Sequence, residues 1–356
     1  MPQRDDRVPA YFHPDQLAFK PRYEWAFGER IDHPETTARA ESIVAALTEA
    51  EDRFALSQPS PVPAGTVSKL HSGNLLTLYR TASTLPAGET FYPTVFPKRD
   101  QVSADPTRIH HAGAFCFDAG TPLSAETWAA ASGSASCAHA AARALTKHQR
   151  TLSYALSRPP GHHATRTAFG GYCYLNNAAI AARALRPRRR ISVLDIDVHH
   201  GNGTQSIFYR DPRVQVVSIH ETPETCFPYF AGYPTETGAG RGKGATLNVT
   251  EEEGCDGKRY LELLELYALP AIRDFGSDAL VLSAGLDTYE LDPVGRFKLT
   301  TDDLREVGVR IGRLGMPTAV IQEGGYHAPH LGRNAVALLD GLVQGQAEAL
   351  VERVAT

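Results

Sequence analysis

The chain has 356 residues, 42% of them hydrophobic and 21% charged, which is typical of a globular protein with a sizeable core. Its formal net charge of -4 offers no basic surface for nucleic acid or an anionic membrane. The sequence shows no membrane-length apolar segment, no signal peptide and no C-x-x-C spacing among its five cysteines, so we expect a cytoplasmic protein with reduced thiols.

The first part of the chain combines a predicted helix with a long irregular segment. Apolar residues recur at helical spacing over residues 34–50, which predicts a helix. Residues 82–122 show no period and carry five prolines together with five aromatic residues. A long irregular segment inside a compact domain is usually a binding loop or an interface, and a floppy insertion is the alternative. We interpret 82–122 as a loop insertion.

The remainder alternates between helices and strands. An alanine-rich helix is predicted over residues 127–147, and another helical segment over 260–275. Predicted strands cover residues 152–156, 191–198, 214–220, 280–284 and 318–322. This alternation favours an α/β fold with a doubly wound, mostly parallel sheet flanked by helices. We find no linker or repeat and predict that residues 1–356 form a single domain.

The segment ISVLDIDVHHGNG, residues 191–203, places two aspartates in an apolar run. In a strand, Asp195, Asp197 and His199 would point the same way, because side chains alternate between the two faces. An unpaired buried charge is costly, so such carboxylates need a partner. Two carboxylates and an imidazole together predict a metal site. A salt-bridged loop with a core histidine is the alternative.

Polar side chains also follow three other predicted strands. His162 and His163 come after the strand at 152–156, Asp287 after 280–284, and Tyr326 after 318–322. In open α/β sheets, ligands bind beyond the carboxyl ends of the strands. We therefore expect these residues to converge on the predicted metal site.

Five motifs carry a family resemblance. RPPGHHA, FGGYCYLNN, DIDVHHGNGTQ, GLDTY and EGGY occur in this order between about Leu152 and Leu339. They resemble the histone deacetylase superfamily of arginase-like zinc amidohydrolases. The longer segment FGGYCYLNNAA, and FDAG before a Trp-bearing helix, are most similar to its acetylpolyamine amidohydrolase branch.

The resemblance implies an arginase/deacetylase-like fold and a hydrolase that removes an acetyl group from an acetylpolyamine or another small acetylated amine. A deacetylase of acetyl-lysine in proteins is the alternative. A two-manganese, arginase-like hydrolase would need a further carboxylate-rich motif. A non-catalytic, acyl-binding pseudoenzyme would not need the complete set of site residues.

The resemblance also assigns roles to residues. It implies zinc ligation by Asp197, His199 and Asp287, an oxygen-rich set that Fe²⁺ or Co²⁺ could also occupy. It implies acid–base roles for His162 and His163 with their partners Asp195 and Asn202, and an oxyanion-binding role for Tyr326. It implies a substrate channel lined by Tyr172, Phe227, Gly171, Gly324 and Gly325. It implies a structural potassium ion held by Asp195, Asp197, His199, Ser218 and Ile219.

Further expectations concern specificity and assembly. Some relatives carry an aspartate at the position of Asn202, and an amide stabilises imidazolium less well, so we expect a less basic His163. Arg39 matches the arginine beneath the family's active site, and Asp118 is a candidate to bind the distal ammonium of a polyamine. By the same resemblance, the insertion at 82–122 shapes the channel mouth within a homodimer.

Overall fold

A computed structural model describes residues 6–26, 28–98, 103–147, 151–185 and 190–355. Its strands are β1 (Val8–Tyr11), β2 (Tyr23–Ala26), β3 (Glu29–Asp32), β4 (Phe54–Ser57), β5 (Thr90–Phe91), β6 (Leu123–Ser124), β7 (Leu152–Ala155), β8 (Ile191–Asp195), β9 (Val214–Glu221), β10 (Thr246–Glu251), β11 (Ala279–Ala284) and β12 (Thr318–Gln322). Its α-helices are α1 (Thr37–Glu49), α2 (Ala64–Leu70), α3 (Gly73–Ala82), α4 (Thr127–Lys147), α5 (Asn177–Ala184), α6 (Asn202–Phe208), α7 (Gly257–Leu263), α8 (Leu269–Phe275), α9 (Thr301–Gly312) and α10 (Ala328–Ala355).

Eight of these strands form one sheet in the order β10-β9-β8-β11-β12-β7-β1-β4, and every neighbouring pair is parallel. Parallel strands need crossover connections, which the helices supply on both faces. The predicted α/β fold with a doubly wound, parallel sheet is confirmed.

The sheet separates two hydrophobic cores. Leu194 and Leu282 pack into the core that α1, α7, α8, α9 and α10 cover, whereas Val193 and Val281 pack into the core beneath α2, α3, α4 and α5. Both faces of these strands are therefore buried, which explains why they read as continuous apolar runs rather than as an alternating pattern.

A predicted helix and a predicted strand are each three residues or more longer than the observed element. The helix predicted over 34–50 is α1, Thr37–Glu49. The strand predicted to reach residue 198 ends at Asp195. Beyond that point the backbone N–H groups of Val198 and His199 donate to Asp287 and Asp197 side chains instead of to a neighbouring strand. The prediction of a longer strand is wrong because the N–H groups of Val198 and His199 bond to carboxylate side chains and not to the backbone of a neighbouring strand.

The segment 82–122 is partly packed and partly open. It contains a 3₁₀ helix, Ile109–Ala114, and the strand β5 that pairs with β6 beyond it. Phe115 is buried, whereas Val95 is 75% and Phe96 42% exposed. Residues 99–102 lie outside the described chain. None of the described helices is long and apolar enough to span a membrane.

Candidate active site and metal centre

The predicted site residues meet at the carboxyl ends of four adjacent strands, β8, β11, β12 and β7. His162 and His163 lie on the loop after β7, His199 on the loop after β8, Asp287 on the loop after β11 and Tyr326 on the loop after β12. The residues come from distant parts of the sequence, and they meet because the four strands that precede them are neighbours in the sheet.

Asp197, His199 and Asp287 form a compact buried triad. Their possible ligand atoms all lie within 4.8 Å of one another. His199 Nδ1 is 3.0 Å from Asp197 Oδ1 and 3.2 Å from Asp287 Oδ2. One imidazole nitrogen and two carboxylates, with one side facing a cavity, match a catalytic zinc site with an open coordination position.

The electrostatics of the triad also fit a cation. Burial, and then the charge of Asp197, raise the pKa of Asp287 to about 7. Two buried carboxylates this close repel each other, so a bound cation would stabilise both. Glycine leaves room for them, because a Cβ at Gly324 would lie 2.1 Å from Asp287 Oδ2 and 2.7 Å from Asp197 Oδ2.

The two adjacent histidines sit in different environments. His162 Nδ1 is 3.0 Å from Asp195 Oδ2, and His163 Nδ1 is 2.7 Å from Asn202 Oδ1. Burial lowers the pKa of His162, but Asp197 and Asp195 outweigh burial and raise it to about 10. Burial and the neighbouring imidazole of His162 hold the pKa of His163 well below its usual range. The two adjacent imidazoles therefore differ in basicity, and His162 is the more basic of the two.

Arg39 supports the loop that carries Tyr326. Its guanidinium donates to the carbonyl oxygens of Gly325 and Glu323, and lies 4.6 Å from the centroid of the Tyr326 ring. Arg39 is itself paired with the buried Glu35 at 2.8 Å. Arg39 therefore lies under the loop that carries Tyr326.

Sequence reasoning missed the other supports of this region. The guanidinium of the buried Arg158 lies 2.9 Å from the same carboxylate of Glu35 and donates to the carbonyl oxygens of Thr36 and Phe19. Asp292 accepts the backbone N–H of Tyr326 at 2.6 Å. These partners are far apart in sequence, and no local pattern marks them.

A cavity of 480 Å³ leads from the surface to the triad, and His163, His199 and Tyr326 line it. The aromatic side chains of Tyr172 and Phe227 form its walls. Phe227 lies 5.0 Å, centroid to centroid, from the His163 ring, and Tyr172 lies 5.8 Å from the Tyr326 ring. Gly171 lines the cavity as well, whereas Gly324 and Gly325, which were also predicted to line the channel, are not part of its lining.

Gly171 and Gly325 occupy positions near the site where a side chain would not fit. Gly171 has a φ of 57°, and a Cβ there would lie 2.3 Å from His163 Cδ2. Gly325 has a φ of 117°, which side chains rarely adopt. A larger residue at either position would displace a histidine or the Tyr326 loop.

The mouth of the cavity carries two carboxylates, Glu24 and Asp118. Glu24, on β2, accepts the hydroxyl of Tyr172 at 2.8 Å. Burial raises the pKa of Glu24, Tyr172 opposes the rise and Asp118 adds to it. Asp118 accepts the backbone N–H groups of Gly120 and Gly171 at 2.8 and 2.6 Å, so it also fixes the channel wall. The sequence suggested Asp118 but gave no signal for Glu24.

The residues suggested for potassium adjoin the triad. Asp195 pairs with Ser218 in the register of β8 and β9, and Ile219 follows on β9. Both Asp195 and Ser218 are buried. Asp197 and His199 continue the chain from β8, so all five residues lie at one corner of the site.

Comparison with known proteins agrees with this geometry. Residues 33–342 match the histone deacetylase domain family. The chain belongs to the histone deacetylase family.

Within that family it is similar to acetylpolyamine amidohydrolases. It is 39% identical to the enzyme of that name from Burkholderia pseudomallei, over 93% of this chain and 97% of the relative. It is also 39% identical to one from Mycoplana ramosa, over 88% and 94%. A crystal structure of acetylpolyamine aminohydrolase from Burkholderia pseudomallei superposes with a TM-score of 0.89 at 38% identity, covering 95% of this chain and 99% of that one.

Proposed function

We propose that this chain is a zinc-dependent amidohydrolase that removes an acetyl group from a small, slender acetylated amine, such as an acetylpolyamine. The observation that carries the proposal is the Asp–His–Asp triad beside two imidazoles, at the inner end of a narrow cavity with an acidic mouth. We also propose that the protein is located in the cytoplasm.

Asp197, His199 and Asp287 would hold the zinc ion, and Fe²⁺ or Co²⁺ would suit the same oxygen-rich set. A zinc ion bound there supplies Lewis acidity to the acyl oxygen and lowers the pKa of water. The corner formed by Asp195, Ser218 and Ile219 would hold a structural potassium ion.

His163 is the histidine that can exchange protons with the substrate, because it lines the cavity. Its Nδ1 donates to Asn202, which leaves Nε2 as the acceptor that faces the reacting groups. Its lowered pKa keeps it neutral, so it can accept a proton from water and return it to the leaving amine. His162, paired with Asp195, holds positive charge beside the site.

Tyr326 completes the site from the opposite wall. The phenol is partly buried, and desolvation raises its pKa well above the usual value, so it remains a hydrogen-bond donor. Its hydroxyl would donate to the oxyanion that forms when water attacks the amide carbonyl.

The mouth favours a cationic substrate over a neutral one. Glu24 and Asp118 line the cavity beside Trp25, which is 45% exposed, and the distal ammonium of an acetylated diamine would bind between the two carboxylates. Arg296 also lines the cavity, but its guanidinium is paired with Glu221 and Glu253. This favours a small acetylated amine over the alternative substrate, acetyl-lysine within a protein.

Glu24→Gln is expected to raise KM for an acetylated diamine roughly tenfold, because it removes a charged hydrogen-bond partner. An acetylated alkylamine of the same length, with no ammonium group, serves as the matched neutral substrate. Its KM should change by less than about twofold. An equal change in both KM values would show that Glu24 does not recognise charge.

The raised pKa of Glu24 gives this recognition a pH dependence. Above that pKa the carboxylate is charged and attracts the ammonium group, which stays protonated to about pH 10. Below it the carboxyl is neutral, so KM for the diamine should rise as the pH falls, whereas KM for the neutral amide stays flat. Steady-state kinetics from pH 5 to 8 measures the ratio of KM for the diamine to KM for the neutral amide.

We further propose a homodimer in which residues 82–122 of each subunit narrow the channel mouth. Val95 and Phe96 in this segment are exposed, as is Trp25 at the mouth, and a second copy would cover such apolar side chains. Light scattering should give twice the chain mass of 38.6 kDa. Val95→Asp should dissociate the dimer and improve the relative rate on an acetylated histone peptide. A wild-type monomer would contradict the proposal.

A substrate panel tests the proposed function itself. The purified, zinc-loaded enzyme is given an acetylated diamine, an acetylated histone peptide and free arginine, and the release of acetate or urea is measured. We expect the highest kcat/KM on the diamine. A preference for the peptide would favour the alternative substrate, and urea release would favour an arginase-like enzyme.

A further inference from the structure

The side chain of Glu323 is fully buried behind the two histidines, outside the cavity. One oxygen, Oε2, accepts the backbone N–H groups of both Gly161 and His162, at 2.7 and 3.0 Å. The other, Oε1, accepts the hydroxyl of Ser283 on β11 at 3.2 Å. The Glu323 carboxylate is therefore hydrogen-bonded to the main chain of the turn that carries His162 and His163.

The backbone of the same residue belongs to the Tyr326 loop. The Glu323 carbonyl oxygen accepts a hydrogen bond from Arg39 at 2.6 Å, and its N–H donates to Ala284 at 3.0 Å. The next N–H, that of Gly324, donates to Asp197 at 2.9 Å. One residue thus joins the histidine turn, β11 and the loop that ends at Tyr326.

A buried carboxylate is costly unless its oxygens accept hydrogen bonds, and burial raises the pKa of Glu323 to about 7. An apolar residue would avoid that cost but would leave two consecutive buried N–H groups without an acceptor. A glutamate is needed here because its carboxylate accepts these two N–H groups, and not merely because its side chain fills the space.

We propose that Glu323 is a positioning residue, which sets the distance between the histidine turn and the Tyr326 hydroxyl by accepting the N–H groups of Gly161 and His162. The inference rests on the proposed hydrolase function. It assigns Glu323 no contact with substrate and no proton transfer. Rate is sensitive to the placement of acid–base groups, and a shift of about 1 Å costs about 10²-fold.

Two substitutions separate acceptor geometry from charge. Glu323→Leu removes the acceptors, and Glu323→Gln retains an amide oxygen for the two N–H groups while its NH₂ group can donate to Ser283. We expect Glu323→Leu to lower kcat about 30- to 100-fold with KM within about threefold and with zinc retained. Glu323→Gln should restore kcat to within about threefold of wild type. Gln346→Leu on α10, which removes the hydrogen bonds that this amide donates to the carbonyl oxygens of Thr151 and Met316, controls for a general loss of stability.

Hydrogen exchange gives a readout that does not depend on turnover. A peptide covering the Gly161 and His162 amides should exchange faster in Glu323→Leu than in wild type, and at the wild-type rate in Glu323→Gln. Normal kcat in Glu323→Leu, or a tenfold or greater loss in Glu323→Gln, would overturn the inference. If Glu323→Leu does not fold, Glu323→Gln still tests the inference, because a tenfold or greater loss of kcat in that variant would overturn it. An inactive wild-type enzyme would instead contradict the proposed function, and the exchange experiment would still test the positioning role.

Discussion

Asp287→Ala and His199→Ala are each expected to abolish both zinc retention and deacetylation. Each removes one of the three ligands proposed among the described residues, and would leave the other two buried groups without their cation. Lewis-acid stabilisation of the transition state amounts to several kcal/mol, so activity should fall by at least about 10³-fold. Metal analysis of the purified variants and an acetate-release assay measure the two losses together.

A matched substitution distinguishes ligand loss from collapse of the loop. Asp287 Oδ1 also accepts the N–H of Val198 at 3.0 Å, and Asp287→Asn can keep that hydrogen bond. We expect Asp287→Asn to melt near the wild-type temperature yet to retain much less zinc. Asp340→Ala, which removes a carboxylate that pairs with Arg53 far from the site, should keep both zinc and activity. Near-stoichiometric zinc in folded Asp287→Ala would refute the ligand assignment.

Tyr326→Phe is expected to lower kcat by about 10² to 10³-fold, the usual effect of losing one oxyanion donor. KM, zinc content and melting temperature should stay close to wild type, because the ring still packs over Arg39 and against Tyr172. A hydroxyl that acts only in the transition state affects kcat and kcat/KM alike.

Tyr289→Phe is the matched control, because it removes a phenol hydroxyl that bonds His330 near the same loop. It should remain within about threefold of wild type in kcat. If Tyr326→Phe were equally active, another group would have to stabilise the oxyanion.

The sequence predicted the arrangement of the sheet because β8, β11 and β12 are buried on both faces and read as apolar runs. It did not predict three strands of the sheet, β1, β4 and β10. The sequences of β1 and β4, VPAY and FALS, are short and carry no clear period. Their pairing depends on strands distant in sequence, so local preference does not specify it.

Strand alternation predicted that Asp195, Asp197 and His199 point the same way, but Asp197 and His199 lie beyond the end of the strand. The strand ends at Asp195, and the side chains of Asp195, Asp197 and Asp287 accept the following N–H groups. Asp287 lies 89 residues beyond Val198, so this loop conformation is a tertiary effect that no local pattern could indicate.

Glu24 and Glu35 are further residues whose tertiary contacts no local sequence pattern indicates. Glu24 contacts a tyrosine 148 residues away, and Glu35 joins two buried arginines, Arg39 and Arg158. In the sequence both are ordinary glutamates, and only the folded chain gives them partners. Sequence motifs indicate the residues that take part in the reaction. The residues that support them can be identified only from their contacts in the folded chain.

The most direct test of the account is acetate release from an acetylated diamine by the chelator-treated enzyme before and after addition of zinc. We predict negligible release by the metal-free enzyme and recovery as zinc approaches one equivalent per chain, with a lower kcat/KM on an acetylated histone peptide. Full activity without metal, or no release from any acetylated amine after zinc is restored, would contradict the account.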